Sequence, residues 1–334
     1  MKRKVTKKTV TVLASTCFLL AMIPATAFSW GDATHAYISD RLKARIGYRN
    51  INEMWGSLGP DIFNFIFDDT LCPTWLGEST HGRETESFMN VWNVARTTPE
   101  KALAYGFVSH NEAWGADRTA HVLGLTSGRA GGYINAKAIK LLETPLDPTQ
   151  EYDPVLNPKF KEVFDNIEMT WDQQVLIAHV ISEYAIDIML KNDVDHFLGR
   201  KLRLAARYRS PEFPGLLVEA FAADYVNNCP GIDLPTAAYI ITSAEAEYRR
   251  GMITYGRIIS QPEPVAVKLI ANQIVALAAG FLGGPIPDDL GIDPVDLVKI
   301  AIYDSMAICD DYLDEINATI DLVEDQLTAH DITY

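Results

Sequence analysis

Cysteine is scarce in this chain: four in 334 residues, with no close pair anywhere. That spacing excludes a zinc-finger pattern and a disulfide-dense scaffold. Basic side chains are also in deficit, with 29 Lys and Arg against 44 Asp and Glu and a formal charge of −15. Such a surface argues against general affinity for nucleic acid backbones or anionic bilayers. It does not exclude binding a phosphate group, because bound cations reverse the local field. Alternating strand-type patterning is sparse, and there is no internal repeat or low-complexity tract. A Gly-x-Ser-x-Gly motif, the usual mark of an activated serine, is missing too.

What is present begins with an export signal. Lys2, Arg3, Lys4, Lys7 and Lys8 precede a largely apolar stretch from Val10 to about Ala25, and Ala27-Phe28-Ser29 offers small residues where a signal peptidase reads. Residues 1–29 are therefore expected to be removed, leaving Trp30 first and a secreted or periplasmic protein. Cys17 sits inside the apolar stretch rather than after it, which disfavours a lipid anchor. The mature chain keeps 24 basic and 44 acidic side chains, a formal charge of −20. Of the remaining Cys72, Cys229 and Cys309, at most one pair can bond, and sequence does not choose it.

Apolar periodicity and helix-start signals predict an all-α, multi-helix bundle. Thr98-Pro99-Glu100 reads as a cap, a first-turn proline and a first-turn acid, opening a helix to about Ala113. Others are expected from Trp171 to Leu190, from Pro235 to about Ile259 and from Pro264 to about Leu282. The longest is expected from Asp293-Pro294 to about Leu327. Thr144 to Pro158, rich in proline and acids, reads as a surface loop. The apolar run Ile274 to Gly284 is too short to span a bilayer and reads as a core helix, with a lipid-facing lid as the alternative.

Seven histidines are present, and five lie where metal chemistry can use them. His179 and Glu183 are four apart, on one helical face with Cβ atoms roughly 5–6 Å apart, and both are ordinary zinc ligands. A buried glutamate in such apolar surroundings needs a partner, and a metal is one. Asp117 and His121 repeat the spacing. His110 lies seven residues before Asp117, about 10 Å along an unbroken helix and too far to share one ion; Gly115 could mark a break that shortens the gap. Trp30 to His35, Pro60-Asp61 and Ser79-Thr80-His81 add single candidates. Each alone reads more simply as a structural residue.

Their order resembles the zinc-dependent phospholipase C family: N-terminal Trp then His, a Pro-Asp, a Ser-Thr-His, a His…Asp-x3-His and a His-x3-Glu. Tyr105-Gly106-Phe107-Val108-Ser109-His110, running on to Asp117 and His121, looks like the related glycosylphosphatidylinositol-specific phospholipase D. The resemblance covers about residues 30 to 185. It implies a catalytic region over 30–200, a helical C-terminal region over 201–334 packed on the same domain, and a trinuclear zinc site between helices. One zinc would be held by Asp61, His81 and His110. A second would take the α-amino and carbonyl groups of Trp30 with His35, and Asp117 would bridge the two. The third would take His121, His179 and Glu183. In the family the first two members of the His…Asp element are four apart. Here either three residues are inserted around Trp114-Gly115-Ala116, or Asp117 does not bridge. His196 and His330 match nothing in the pattern and are read as structural.

The implied activity is hydrolysis of a phospholipid phosphodiester by activated water, with Asp61 a candidate general base. The partners would be phospholipid and, transiently, a membrane surface, with no stable nucleic acid binding. An amine ligates a metal only once the peptide bond before it is cut, so export would complete the site. Two other readings stay open. One is a single-strand-specific zinc nuclease, which also begins Trp-Gly but is expected to carry aspartate where Glu183 stands. The other is an inactive, metal-stabilised helical binding protein.

Overall fold

The computed structural model describes residues 30–42, 48–66, 69–82, 85–126, 128, 130–287 and 291–334. The signal segment expected over residues 1–29 lies outside them. The described chain is all-α, with fifteen α-helices and no β-strand among the described residues. In order these are α1 (Asp32–Leu42), α2 (Tyr48–Gly56), α3 (Pro73–His81), α4 (Asn90–Val94) and α5 (Thr98–His110). Next come α6 (Ala116–His121), α7 (Tyr133–Leu142), α8 (Phe160–Asn166), α9 (Trp171–Met189) and α10 (Leu198–Tyr208). The last are α11 (Phe213–Asn228), α12 (Leu234–Ile259), α13 (Glu263–Phe281), α14 (Pro294–Ile308) and α15 (Tyr312–Ala329).

Local chemistry sets most helix starts. At α5 the Thr97 hydroxyl accepts Glu100 N at 3.3 Å while the Glu100 carboxylate accepts Thr97 N at 2.8 Å. This reciprocal capping satisfies two of the amides a helix leaves open at its start. The cap is thus Thr97, one residue before the Thr98 expected. Thr170 and Gln173 repeat the device on α9, and the Asp293 carboxylate accepts Val295 N at 2.8 Å on α14.

Two expected helix ends are corrected. The helix expected to run to Ala113 stops at His110, for reasons that belong to the site. The helix expected from Asp293 to Leu327 is two helices, α14 and α15, separated by a turn at 309–311. Lys137 Nζ and the Tyr133 hydroxyl, both from α7, converge on Asp311 Oδ1 at 2.6 Å each. That anchor fixes the chain where it reverses. The longest helix is instead α12, with 26 residues.

One continuous apolar cluster runs from Trp30 to Ile332. The central α9 is buried along most of its length and packs against α1, α7, α13 and α14. Helix α13 is 19 residues of mean hydropathy 1.6 and is long and apolar enough to cross a membrane. It lays Ala266, Val267, Ile270, Ala271, Ile274, Leu277 and Ala278 on the core. Helices α2 and α5 cross closely because two glycines meet neighbouring backbone. A Cβ on Gly106 would lie 1.9 Å from Glu53 O, and one on Gly56 would lie 2.0 Å from Leu103 O. This crossing carries the end of α5 to the end of α2.

Cys72 and Cys229 form the disulfide, and Cys309 is a buried free thiol. The bond joins the residue before α3 to the residue after α11, across a sequence separation of 157. Closing so long a loop restricts the unfolded chain by about 5 kcal/mol on the entropic account, and measured bonds give about 2–4 kcal/mol. Replacing both cysteines by alanine should therefore lower the unfolding free energy by about 2–4 kcal/mol. Urea titration of the oxidised protein beside the double variant reads this directly. Coincident transitions would show that the crosslink contributes nothing.

Candidate metal centre

Asp61, on a 3-10 turn over Pro60–Phe65, lies 4% exposed. His35 sits in the first half of α1 and is 1% exposed, His81 is the last residue of α3, and His110 the last of α5. Asp117 follows in the first turn of α6 and is fully buried. These five side chains meet. Asp117 faces the group with both oxygens: Oδ1 is 3.0 Å from His35 Nε2, and Oδ2 is 2.9 Å from His110 Nε2 and 3.7 Å from His81 Nε2. On the other side Asp61 Oδ1 lies 3.3 Å from His81 Nε2 and 3.8 Å from His110 Nε2. The His35 and His110 rings stack with centroids 3.9 Å apart.

The seven-residue interval between His110 and Asp117 is closed by a helix break. The Asn111 side-chain oxygen accepts Trp114 N at 2.8 Å and Gly115 N at 3.1 Å, turning the chain back over the end of α5. Gly115 permits it, since a Cβ there would lie 2.6 Å from Asn111 N. Helix α6 then restarts with Asp117 beside His110. The break that Gly115 could mark is therefore present, between the helix ending at His110 and the one starting at Ala116.

A second group forms where α6 meets α9. His121, the last residue of α6, lies with its ring centroid 5.3 Å from that of His179, and His179 Nε2 is 2.8 Å from Glu183 Oε1. Metal-ligating atoms of His121, His179 and Glu183 all fall within 4.8 Å of one another. The same holds for His35, Asp61 and His110, and for His81, His110 and Asp117. Thus Asp117 and His121, four apart in sequence, serve different groups. Trp30 is buried against the same helix: its indole Nε1 donates to Ala116 O at 3.2 Å and to Thr119 Oγ1 at 3.0 Å, and its ring stacks on Tyr133. His196 and His330 stay outside both groups, His330 stacking on Trp114.

Four of the histidines share one arrangement that a purely hydrogen-bonded cluster does not require. His110 Nδ1 is 2.8 Å from Ser57 O, His81 Nδ1 is 2.9 Å from Gly77 O, and His179 Nδ1 is 2.9 Å from Asn135 Oδ1. His121 Nδ1 is 3.2 Å from Glu112 Oε1. The backbone carbonyls of Ser57 and Gly77 can only accept, so they hold the proton on Nδ1 of His110 and His81 and leave Nε2 facing the group, the usual preparation of a metal-ligating imidazole. The buried Nε2 of His110 faces Asp117 Oδ2 at 2.9 Å. Convergent nitrogen and carboxylate donors, most of them buried, fit a divalent cation. Among the described residues these groups are able to coordinate metal ions.

The electrostatics agree. Burial pushes His35 down to about 4, helped by the His110 charge and opposed by Asp117. Burial pulls the same way at His110, but the Asp117 and Asp61 carboxylates outweigh it and raise that imidazole to about 9. Burial would raise the Asp117 carboxyl, yet the charges of His110 and His121 hold it well below its ordinary value. Asp61 is lowered in the same fashion by His110 and His81. Without metal, the pocket already keeps two carboxylates ionised.

Sequence reading missed the residues that hold the ligands in place. Asp187, fully buried one turn beyond Glu183 on α9, accepts Ala33 N at 3.0 Å, Thr34 N at 2.8 Å and Thr34 Oγ1 at 2.6 Å. The Tyr255 hydroxyl completes its set at 2.6 Å. It therefore clamps the first turn of the helix that carries His35. Its i+8 spacing from His179 was the available signal, since it continues the same helical face. Glu112 and Asn135 had no comparable signature.

Comparison with protein-family models, with curated proteins and with solved structures finds no match to this chain.

Proposed function

We propose that the protein is an exported, zinc-dependent hydrolase of phosphate diesters whose substrate is a phospholipid. The carrying observation is convergence: eight side chains scattered from His35 to Glu183 come together in neighbouring buried groups with Asp117 facing inward on both oxygens. Three zinc ions are the proposed complement. Asp61, His81 and His110 would hold one and His35 with the Trp30 main chain a second, with Asp117 between them. His121, His179 and Glu183 would hold the third. Zinc bound there supplies Lewis acidity toward phosphoryl oxygens and lowers the pKa of water to about 7.

The chain's own residues do the rest. Ser57, Gly77 and Asn135 fix the ring orientations, so no reorganisation is needed as charge develops. Asp61, kept ionised and supported by Asn64 Nδ2 at 3.0 Å, is the side chain placed to accept a proton from attacking water. The His81 side chain is 15% exposed while Asp117 and His110 are fully buried, so access is from the His81 side. Export and removal of residues 1–29 fit the Cys72–Cys229 bond, which belongs to an oxidising compartment.

The test is hydrolysis. Mature protein beginning at Trp30, loaded with zinc, should release phosphorylated headgroup or phosphatidic acid from phosphatidylcholine vesicles and leave single-stranded DNA intact. Cleavage of DNA alone would favour the nuclease reading. Metal-loaded protein inert toward every phosphate ester would favour the non-enzymatic one.

A further inference from the structure

Glu112 occupies an unusual position between the two ligand groups. Its main-chain amide donates to His81 O at 2.9 Å, and its carboxylate Oε1 lies 3.2 Å from His121 Nδ1. One residue thus touches a histidine of each group. It lies in the looped segment Asn111–Gly115 that separates His110 from Asp117. The other three Nδ1 acceptors, Ser57 O, Gly77 O and Asn135 Oδ1, are neutral; Glu112 alone brings a carboxylate. Its side chain is 21% exposed, beside a His121 side chain only 3% exposed.

We propose that Glu112 is a positioning residue for the His121–His179–Glu183 group: its carboxylate holds His121 as the Nδ1–H tautomer and leaves Nε2 as the atom that takes a cation. A carboxylate partner makes an imidazole a better donor to a metal than a neutral acceptor does, and losing such a partner typically weakens metal affinity 10–100-fold. The looped segment then has two effects. It returns Asp117 to His110, and it supplies the acid that orients His121. The cation half of this proposal rests on the metal-binding reading above; the tautomer half does not.

Glu112→Ala and Glu112→Gln separate them. In zinc-free protein, long-range 15N–1H correlation spectra should show His121 protonated on Nδ1 in the wild type and in Glu112→Gln, whose amide oxygen still accepts. In Glu112→Ala the Nδ1–H preference should be lost. Titration with zinc against a chromophoric chelator should then show one ion bound about 10–100-fold more weakly in Glu112→Ala, with the remaining ions unchanged and partial recovery in Glu112→Gln. Wild-type spectra with the proton on Nε2 would overturn the assignment, because Nδ1 would then have no proton to donate to Glu112 and would itself be the ring's lone-pair atom. An unchanged tautomer together with unchanged zinc affinity in Glu112→Ala would overturn it as well. Wild-type protein that takes up no zinc would instead defeat the metal reading, and with it the cation half.

Discussion

Asp117→Ala should strip the protein of two bound ions and slow phosphodiester hydrolysis by roughly a thousandfold or more. That factor corresponds to the several kcal/mol of charge stabilisation a metal supplies in such reactions. The reason is geometric. Asp117 presents Oδ1 to His35 at 3.0 Å and Oδ2 to His110 at 2.9 Å, a closer approach to His110 than the 3.8 Å of Asp61. Asp117→Asn keeps the shape but turns one ligand oxygen into an amide nitrogen, which cannot ligate, so it should lose at least one ion. The variants also leave His110 with Asp61 as its only close carboxylate among the described residues. Elemental analysis against protein concentration decides the matter. Full metal content in Asp117→Ala would show that the carboxylate does not bridge.

Complete removal of metal is the second large effect. Any ion bound only by the folded state stabilises it by about 4 kcal/mol when present at a thousand times its dissociation constant. Dialysis against a strong chelator should therefore abolish hydrolysis and lower Tm markedly, and stoichiometric zinc should restore both. The pH dependence has a definite sign. In the metal-free protein His110 is raised to about 9 and so carries a proton at pH 7.5. A cation must displace that proton, so apparent affinity should fall as pH falls, and binding at pH 7.5 should release protons. Calorimetric titration in two buffers of different ionisation enthalpy measures the number. Zinc uptake with no proton release would contradict the charge state described here, while an unchanged Tm on chelation would contradict a structural contribution from metal.

How much of this was legible in the sequence depends on whether the signal was local. Helix starts at Thr98, Trp171, Leu234 and Pro294 are written in caps and first-turn prolines, and these with the apolar periodicity made the all-α class legible. The pairing of His179 with Glu183 was visible for the same reason, since both lie on one turn of one helix. The return of Asp117 to His110 was not, because the deciding bond runs from the Asn111 side chain to Trp114 and Gly115 amides. Gly115 marked the place without fixing the outcome. The stop at 309–311 depends on Tyr133 and Lys137, more than 170 residues earlier, and no periodicity could announce it. Choosing Cys229 for Cys72 likewise required knowing where α3 and α11 lie. Glu112 and Asp187 are ordinary acids until the fold places a histidine and a helix start against them.

The Asp187 clamp has a consequence for how the pocket is built during synthesis. The amides it receives belong to residues 33 and 34, yet the acid emerges some 150 positions later. A chain still lacking α9 has the Trp30 indole bonds to Ala116 and Thr119 within reach but no acid to receive those two amides, so this anchor of the His35 helix comes only with the second half of the pocket.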